Sequence, residues 1–165
     1  MPRWESQEDL LPSVLDRLID LDPKNHFEAP ITRAQAFRNL KASLKRDLEF
    51  LLNTRRTIVE IPEWAQELAY SLHNYGVPDF SSMSVHSAQD KNRLLRLLET
   101  TIAFYEPRIS SVIVTMQPVA GGQRVLRFQI EGLLQVEPAP ERVLFDTTLE
   151  LASGQYTVEG EPGAR

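Results

Sequence analysis

Glu106-Pro107-Arg108 concentrates more chemistry than any other triplet in the sequence: a carboxylate, a stiff turn and a guanidinium fork with five donors. A carboxylate of this kind could serve glycoside hydrolysis, which needs two acids across a cleft, and Glu99 or Asp90 could be the second. The spacing argues against that use. A cation two residues away favours the ionised carboxylate, whereas a general acid has to carry a proton near neutral pH. The triplet is better suited to holding a partner, or to bracing an internal corner through an ion pair worth about 0 to 1 kcal/mol if exposed. Other site chemistries lack their parts. His26, His73 and His86 are far apart, and no His-x-x-x-His pattern supplies a second ligand on one helical face. There is no cysteine, so thiolate zinc sites, iron–sulfur clusters, thiolate nucleophiles and disulfides are ruled out together. No Gly-x-Gly-x-x-Gly, Gly-Lys-Ser/Thr or Gly-x-Ser-x-Gly run is present, and no cofactor is called for.

The corner has to be held by the elements on either side of it. Leu11, Val14, Leu15 and Leu18 recur at helical spacing and predict a short amphipathic helix, which docks either on the domain or on a partner. A polar stretch at 22–30 with two prolines separates it from the rest. Thr32 and Gln35 form a capping box before Phe37, Leu40, Leu44, Leu48 and Leu51, which predicts a long helix over 33–52. Its other face, Arg38, Lys41, Lys45 and Arg46, reads as a solvated surface or as a place to meet an acidic partner. A second helical stretch over 63–74 presents Trp64, Leu68 and Leu72 on one side and stops at Gly76 and Pro78. Ser87 with Asp90 opens a third long helix whose buried stripe is Leu95, Leu98, Ile102 and Tyr105, and Pro107 ends it.

After Arg108 the apolar period changes from about 3.6 to 2. Val112, Val114 and Met116 alternate, and Gly121-Gly122 supplies a hairpin turn. Leu126, Phe128, Ile130, Leu134 and Val136 form the next apolar face; Val143, Phe145, Thr147, Leu149 and Leu151 form the third. Ser153-Gly154 turns into a short last strand over 156–158. The fold class is therefore α+β: one domain with an antiparallel meander packed against two long helices and one or two short ones. The expected division is an N-terminal helix and linker at 1–30, the α+β unit at 31–158 and a flexible tail at 159–165.

The 165 residues, 42% hydrophobic and 25% charged, suit one globular domain able to bury a core. A net charge of -5 disfavours a counterion-releasing grip on nucleic acid, and Lys41, Lys45, Arg55 and Arg56 lack the interleaved aromatics such a grip uses. The acidic opening Met1-Pro-Arg-Trp-Glu-Ser-Gln-Glu-Asp9 does not match a cleaved signal, and the longest apolar run, Ile102-Ala-Phe-Tyr105, predicts no membrane insertion.

Several segments together carry a family pattern: Leu11-Pro-Ser-Val-Leu-Asp-Arg-Leu18, Lys45-Arg-Asp-Leu-Glu-Phe-Leu-Leu-Asn-Thr-Arg-Arg56 and Ser71-Leu-His-Asn-Tyr-Gly-Val-Pro-Asp79. Phe104-Tyr-Glu-Pro-Arg-Ile109, Phe128-Gln-Ile-Glu-Gly-Leu-Leu-Gln-Val-Glu-Pro138 and Val143-Leu-Phe-Asp-Thr-Thr148 continue it. In this order the chain resembles the TssE baseplate wedge subunits of bacterial type VI secretion systems, relatives of wedge proteins in contractile phage tails. Tyr105 is a small departure, since the family pattern more often reads Phe-Glu-Pro-Arg. The resemblance implies a non-enzymatic, cytoplasmic structural subunit in a hetero-oligomeric assembly at the inner membrane-associated apparatus. Its partners would be the TssF and TssG wedge subunits and the sheath subunits. Glu106, Pro107 and Arg108 would contact the wedge core, and Leu15, Arg17 and Leu18 would dock on another baseplate subunit. A sheet edge near Tyr156 and Val158, with its neighbour at 143–151, would receive a sheath strand by β-augmentation. The wider family carries a lysozyme-like label, so the alternative is a muramidase-type peptidoglycan hydrolase using Glu106.

Overall fold

A computed structural model describes residues 10, 13–19, 24, 31–80, 83–84, 87–118 and 125–160. Leu11, Pro23, His26, His86, the Gly121-Gly122 turn and the 161–165 tail lie outside the described residues. The elements in order are α1 (Val14–Leu18), α2 (Arg33–Asn53), two 3-10 helices (Glu63–Tyr70 and Leu72–Asn74) and α3 (Ala88–Tyr105). Four strands follow: β1 (Ile109–Gln117), β2 (Val125–Leu134), β3 (Glu141–Glu150) and β4 (Tyr156–Gly160). They form one antiparallel sheet in the order β1-β2-β3-β4, the meander that the period-2 pattern predicts.

Both long helices start where the capping signals place them. The Thr32 hydroxyl accepts from the Gln35 N–H, and the Ser87 hydroxyl from the Asp90 N–H, each occupying one of the orphan donors of a first turn. α2 and α3 lie on one face of the sheet, α2 against β4 and α3 against β1. Leu44, Leu48 and Leu52 of α2 and Leu98 and Ile102 of α3 meet Phe128, Ile130, Leu134, Val143, Phe145, Leu149, Tyr156 and Val158. Each such side chain contributes roughly 1.5–3 kcal/mol by leaving water, so this layer holds the fold together.

Some elements depart from the sequence reading. The stretch over 63–74 forms two 3-10 helices with a kink at Ala65 (φ -121°, ψ 38°), and Trp64, Leu68 and Leu72 are exposed. With no core among the described residues beneath this apolar side, a regular α-helix lacks the packing that would stabilise it. On α3 the buried stripe is Leu94, Leu98, Thr101 and Ile102, while Leu95 and Tyr105 are only partly buried. Leu151 lies past the end of β3 in the turn to β4 and is exposed. β1 carries a bulge between Ser110 and Ile113, with Ser111 at φ 52°, a feature that alternation alone does not reveal.

Candidate functional site

The chain turns from α3 into β1 through Glu106, Pro107 and Arg108. Glu106 caps α3, its N–H bonding the Ile102 carbonyl at 2.8 Å, and the exposed Pro107 stops the helix. The Glu106 carboxylate then folds onto Arg108: Oε1 accepts from Nε at 2.6 Å and from the backbone N–H at 3.3 Å, and Oε2 accepts from Nη2 at 2.6 Å. This bidentate pair leaves Glu106 6% exposed. The same Nη2 donates to Asp47 Oδ2 of α2 at 2.6 Å, so one guanidinium ties the corner to the first long helix. Hydrogen bonds to Glu106, and then to Asp47, raise the Arg108 pKa further above its usual value, against the opposing effect of burial.

From Asp47 the polar chain continues outward. Asp47 Oδ1 accepts from Arg46 Nη2 at 2.8 Å, and Arg46 Nη1 donates to Asp16 Oδ1 of α1 at 2.7 Å. Asp16 Oδ2 accepts from Ser13 Oγ at 2.6 Å and Ser43 Oγ at 2.5 Å. Burial pushes the Asp16 carboxyl up, but hydrogen bonds from Ser13, Ser43 and Arg46 outweigh it and hold the pKa at about 2. Arg46, one residue of the basic face of α2, thus meets acidic partners inside the same chain. α1 is fastened by its polar side, with Val14, Leu15 and Leu18 facing solvent and Arg17 exposed beside them.

Next to the corner, residues 54–57 and 74–77 pinch together. Val77 N–H donates to the Thr54 carbonyl at 2.8 Å, and Arg56 N–H donates to the Val77 carbonyl at 3.2 Å. Gly76 lies at φ +110°, and a Cβ there would fall inside contact distance of the Thr54 carbonyl oxygen, so only glycine fits this neck. Tyr75 packs edge-on against Tyr105, whose hydroxyl donates to the Asn74 carbonyl at 2.5 Å. The tyrosine at 105 therefore adds a bond that phenylalanine would lack. Asp47, Tyr75-Gly76 and Glu106-Pro107-Arg108, from three separate segments, converge on one patch.

The family model described as "Baseplate wedge protein gp25" matches residues 38–139, which include all of those convergent residues. The chain belongs to the baseplate wedge protein gp25 family. A solved structure, "The baseplate complex from the type VI secretion system", is similar at 22% identity, over 67% of this chain and 94% of that chain, with a TM-score of 0.46. No curated protein matches the chain. Membership in the gp25 family gives the protein a structural role in a baseplate, assembled with other baseplate subunits.

The remaining residues expected at sites take different positions. Tyr156 and Val158 are in the core, with Val158 wholly buried. The Asn53 side-chain amide sits on the edge of β4, donating to the Tyr156 carbonyl and accepting from its N–H, each at 2.8 Å. On the opposite edge, Glu99 accepts from the Val114 N–H of β1 at 2.9 Å. Glu99 is thus engaged with the backbone. Asp90 accepts from the Ser84 N–H at the far end of α3, roughly 24 Å from Glu106 at about 1.5 Å of rise per residue. A paired-acid hydrolase needs its carboxylates about 5 to 9.5 Å apart across a cleft. Glu106, with both oxygens taken by Arg108, has no such arrangement with Asp90. Arg55 donates to the Leu52 and Gly154 carbonyls and stacks over Phe80. No described helix is long and apolar enough to cross a membrane.

Sequence reasoning found the corner but missed Asp16, Ser43 and Asp47, which tie it to α1 and α2, and Asn53, which ties α2 to β4. Ser43 could have been noticed, because it lies beside Leu44 and Leu40 on the buried side of α2, where a lone hydroxyl needs a partner.

Proposed function

We propose that the chain is the wedge subunit of a type VI secretion baseplate, acting in the cytoplasm at the inner membrane-associated apparatus. It docks on TssF and TssG and offers a sheet edge to the first sheath subunits. The observation that carries this reading is the convergence of the TssE-like segments on the corner of Asp47, Tyr75-Gly76 and Glu106-Pro107-Arg108, a built shape in which Arg108 takes both oxygens of Glu106. Pro107 and the solvent-exposed part of Arg108 form the contact to the wedge core, with Glu106, Asp47 and Ser43 holding the guanidinium in place. Leu15, Arg17 and Leu18 form a second contact, supported by the way Asp16 fastens α1 with its apolar side outward.

A joining strand needs backbone groups turned away from the sheet. Because the Val114 N–H of β1 bonds outward to Glu99, the alternation of an antiparallel pair turns Met116 outward as well. Ile113 and Thr115 beside it are exposed. Each edge is capped at one residue, β1 at Val114 by Glu99 and β4 at Tyr156 by Asn53, so a sheath strand joining at Tyr156 and Val158 first requires Asn53 to release Tyr156. Co-expression with TssF, TssG and a sheath subunit tests the reading. Wild type co-purifies with the wedge, and a Leu15→Ser/Leu18→Ser variant melts like wild type but is recovered poorly. Failure of wild type to co-purify, or hydrolysis of peptidoglycan abolished by Glu106→Gln, would refute it.

A further inference from the structure

The corner and α1 leave one large surface feature unused. Between Arg56 and Tyr75 the chain leaves the domain and returns through the Thr54–Val77 neck, and its two 3-10 helices pack on each other. This loop carries Ile58 at 87% exposure, Trp64 at 87% and Leu72 at 85%, with Val59 also exposed. Solvent-facing apolar groups of this size, gathered on one rigidly closed loop, mark an interaction surface. Trp is among the residue types that most often anchor interfaces.

Charge selects the partner. Residues 57–74 contain Glu60, Glu63 and Glu67 and no lysine or arginine. All three acids are exposed around the apolar side chains. At the base of the loop a cleft of ≈ 600 Å³, lined in part by Ile58, Val59, Glu60 and Asn74, offers room for a side chain. Arg56, Glu60 and Asp79 all line it, so the cleft too carries more acid than base. An acidic rim repels an anionic bilayer and suits lysine and arginine, and an exposed indole face accepts either cation.

We propose that the 57–74 loop is a docking face for a basic amphipathic segment of a partner protein, which seats apolar side chains on Trp64 and Leu72 and its cations on Glu60, Glu63 and Glu67. This deepens the reading of the chain as an assembly subunit and rests on it. The two surfaces differ in kind: α1 is held by its polar side, while the described hydrogen bonds that tie this loop to the domain lie at its neck.

The test uses the full chain with Trp4→Phe, which leaves Trp64 as the fluorescent reporter. The probes are a Leu/Lys amphipathic helical peptide, its Leu/Glu counterpart, and phosphatidylcholine and phosphatidylserine vesicles. The Leu/Lys peptide is expected to shift Trp64 emission to the blue and to bind more weakly as salt rises, and the Leu/Glu peptide to leave it unchanged. Glu60→Gln/Glu63→Gln/Glu67→Gln should weaken Leu/Lys binding at least about tenfold, and Leu72→Ser should do likewise, with unchanged melting curves. Equal response to both peptides, response to neither, vesicle binding, or self-association lost in Leu72→Ser would overturn the proposal. If wild type co-assembles with wedge subunits and the triple variant does so equally well, this inference falls while the functional reading stands. If wild type fails to co-assemble, the functional reading falls whatever the peptides do.

Discussion

The corner at 106–108 and the loop at 57–74 adjoin each other and follow opposite rules. In the corner, charged groups are taken out of water and matched: Glu106 is clasped by Arg108, Arg108 is shared with Asp47, and Asp47 is shared with Arg46. In the loop, apolar groups face water with no described core to cover them. A matched polar corner defines a shape, because leaving one partner unpaired in such a place is costly. An uncovered apolar loop defines an affinity, because its stabilisation comes only when something else buries it. One domain thus holds a stiff reference point and a sticky arm side by side, which is a sensible division for a subunit whose task is assembly.

Substitutions that break the stiff side should be far costlier than those on the arm. Gly76→Ala should have the largest effect, about 2–4 kcal/mol, because both its φ of +110° and the nearby Thr54 carbonyl exclude a Cβ; chemical denaturation measures it. Arg108→Ala should cost about 2–3 kcal/mol, since Glu106 would lose its fork while still buried, and Arg108→Lys should recover only part of that. Such a loss exceeds what an exposed ion pair contributes, so the isolated domain feels this substitution as well as the assembly. Tyr105→Phe should cost about 1 kcal/mol by releasing the Asn74 carbonyl at the loop neck.

The pH response sharpens the comparison on the α1 side. Asp16 is held at about 2, below its ordinary 3.8, so its contribution is fully present above the ordinary value and is lost as pH falls from about 4 through about 2. NMR shifts of α1 should keep their docked values at pH 4 and move over that window, and Asp16→Asn should remove the transition. The smallest effect belongs to the arm: Trp64→Ala should change the stability of the free chain by less than about 0.5 kcal/mol, as a thermal melt would show.

The sequence made much of the stiff scaffold legible. Alternation placed Phe128, Ile130, Val143, Phe145 and Leu149 on one sheet face because a sheet covered on one side leaves that period in its residues. Thr32 and Ser87 announced their helices because a capping hydroxyl acts within three residues of itself. The connections within the site were harder to read. Asp47 bonds a residue 61 positions away and Asp16 one 30 positions away, and no local period records such pairings. The loop misled for a related reason. Trp64, Leu68 and Leu72 repeat at helical spacing, and that spacing implies a buried face only if another surface lies opposite; among the described residues none does.

The most direct test of the account is amide hydrogen exchange on the chain alone and in its purified baseplate assembly. The account requires the largest gain of protection over 57–74, a smaller one over α1, and little change at Arg108 and Ile109, whose N–H groups are already bonded to Glu106 in the free chain. A gain confined to the core, or no change over 57–74 in an assembly that contains the protein, would contradict it.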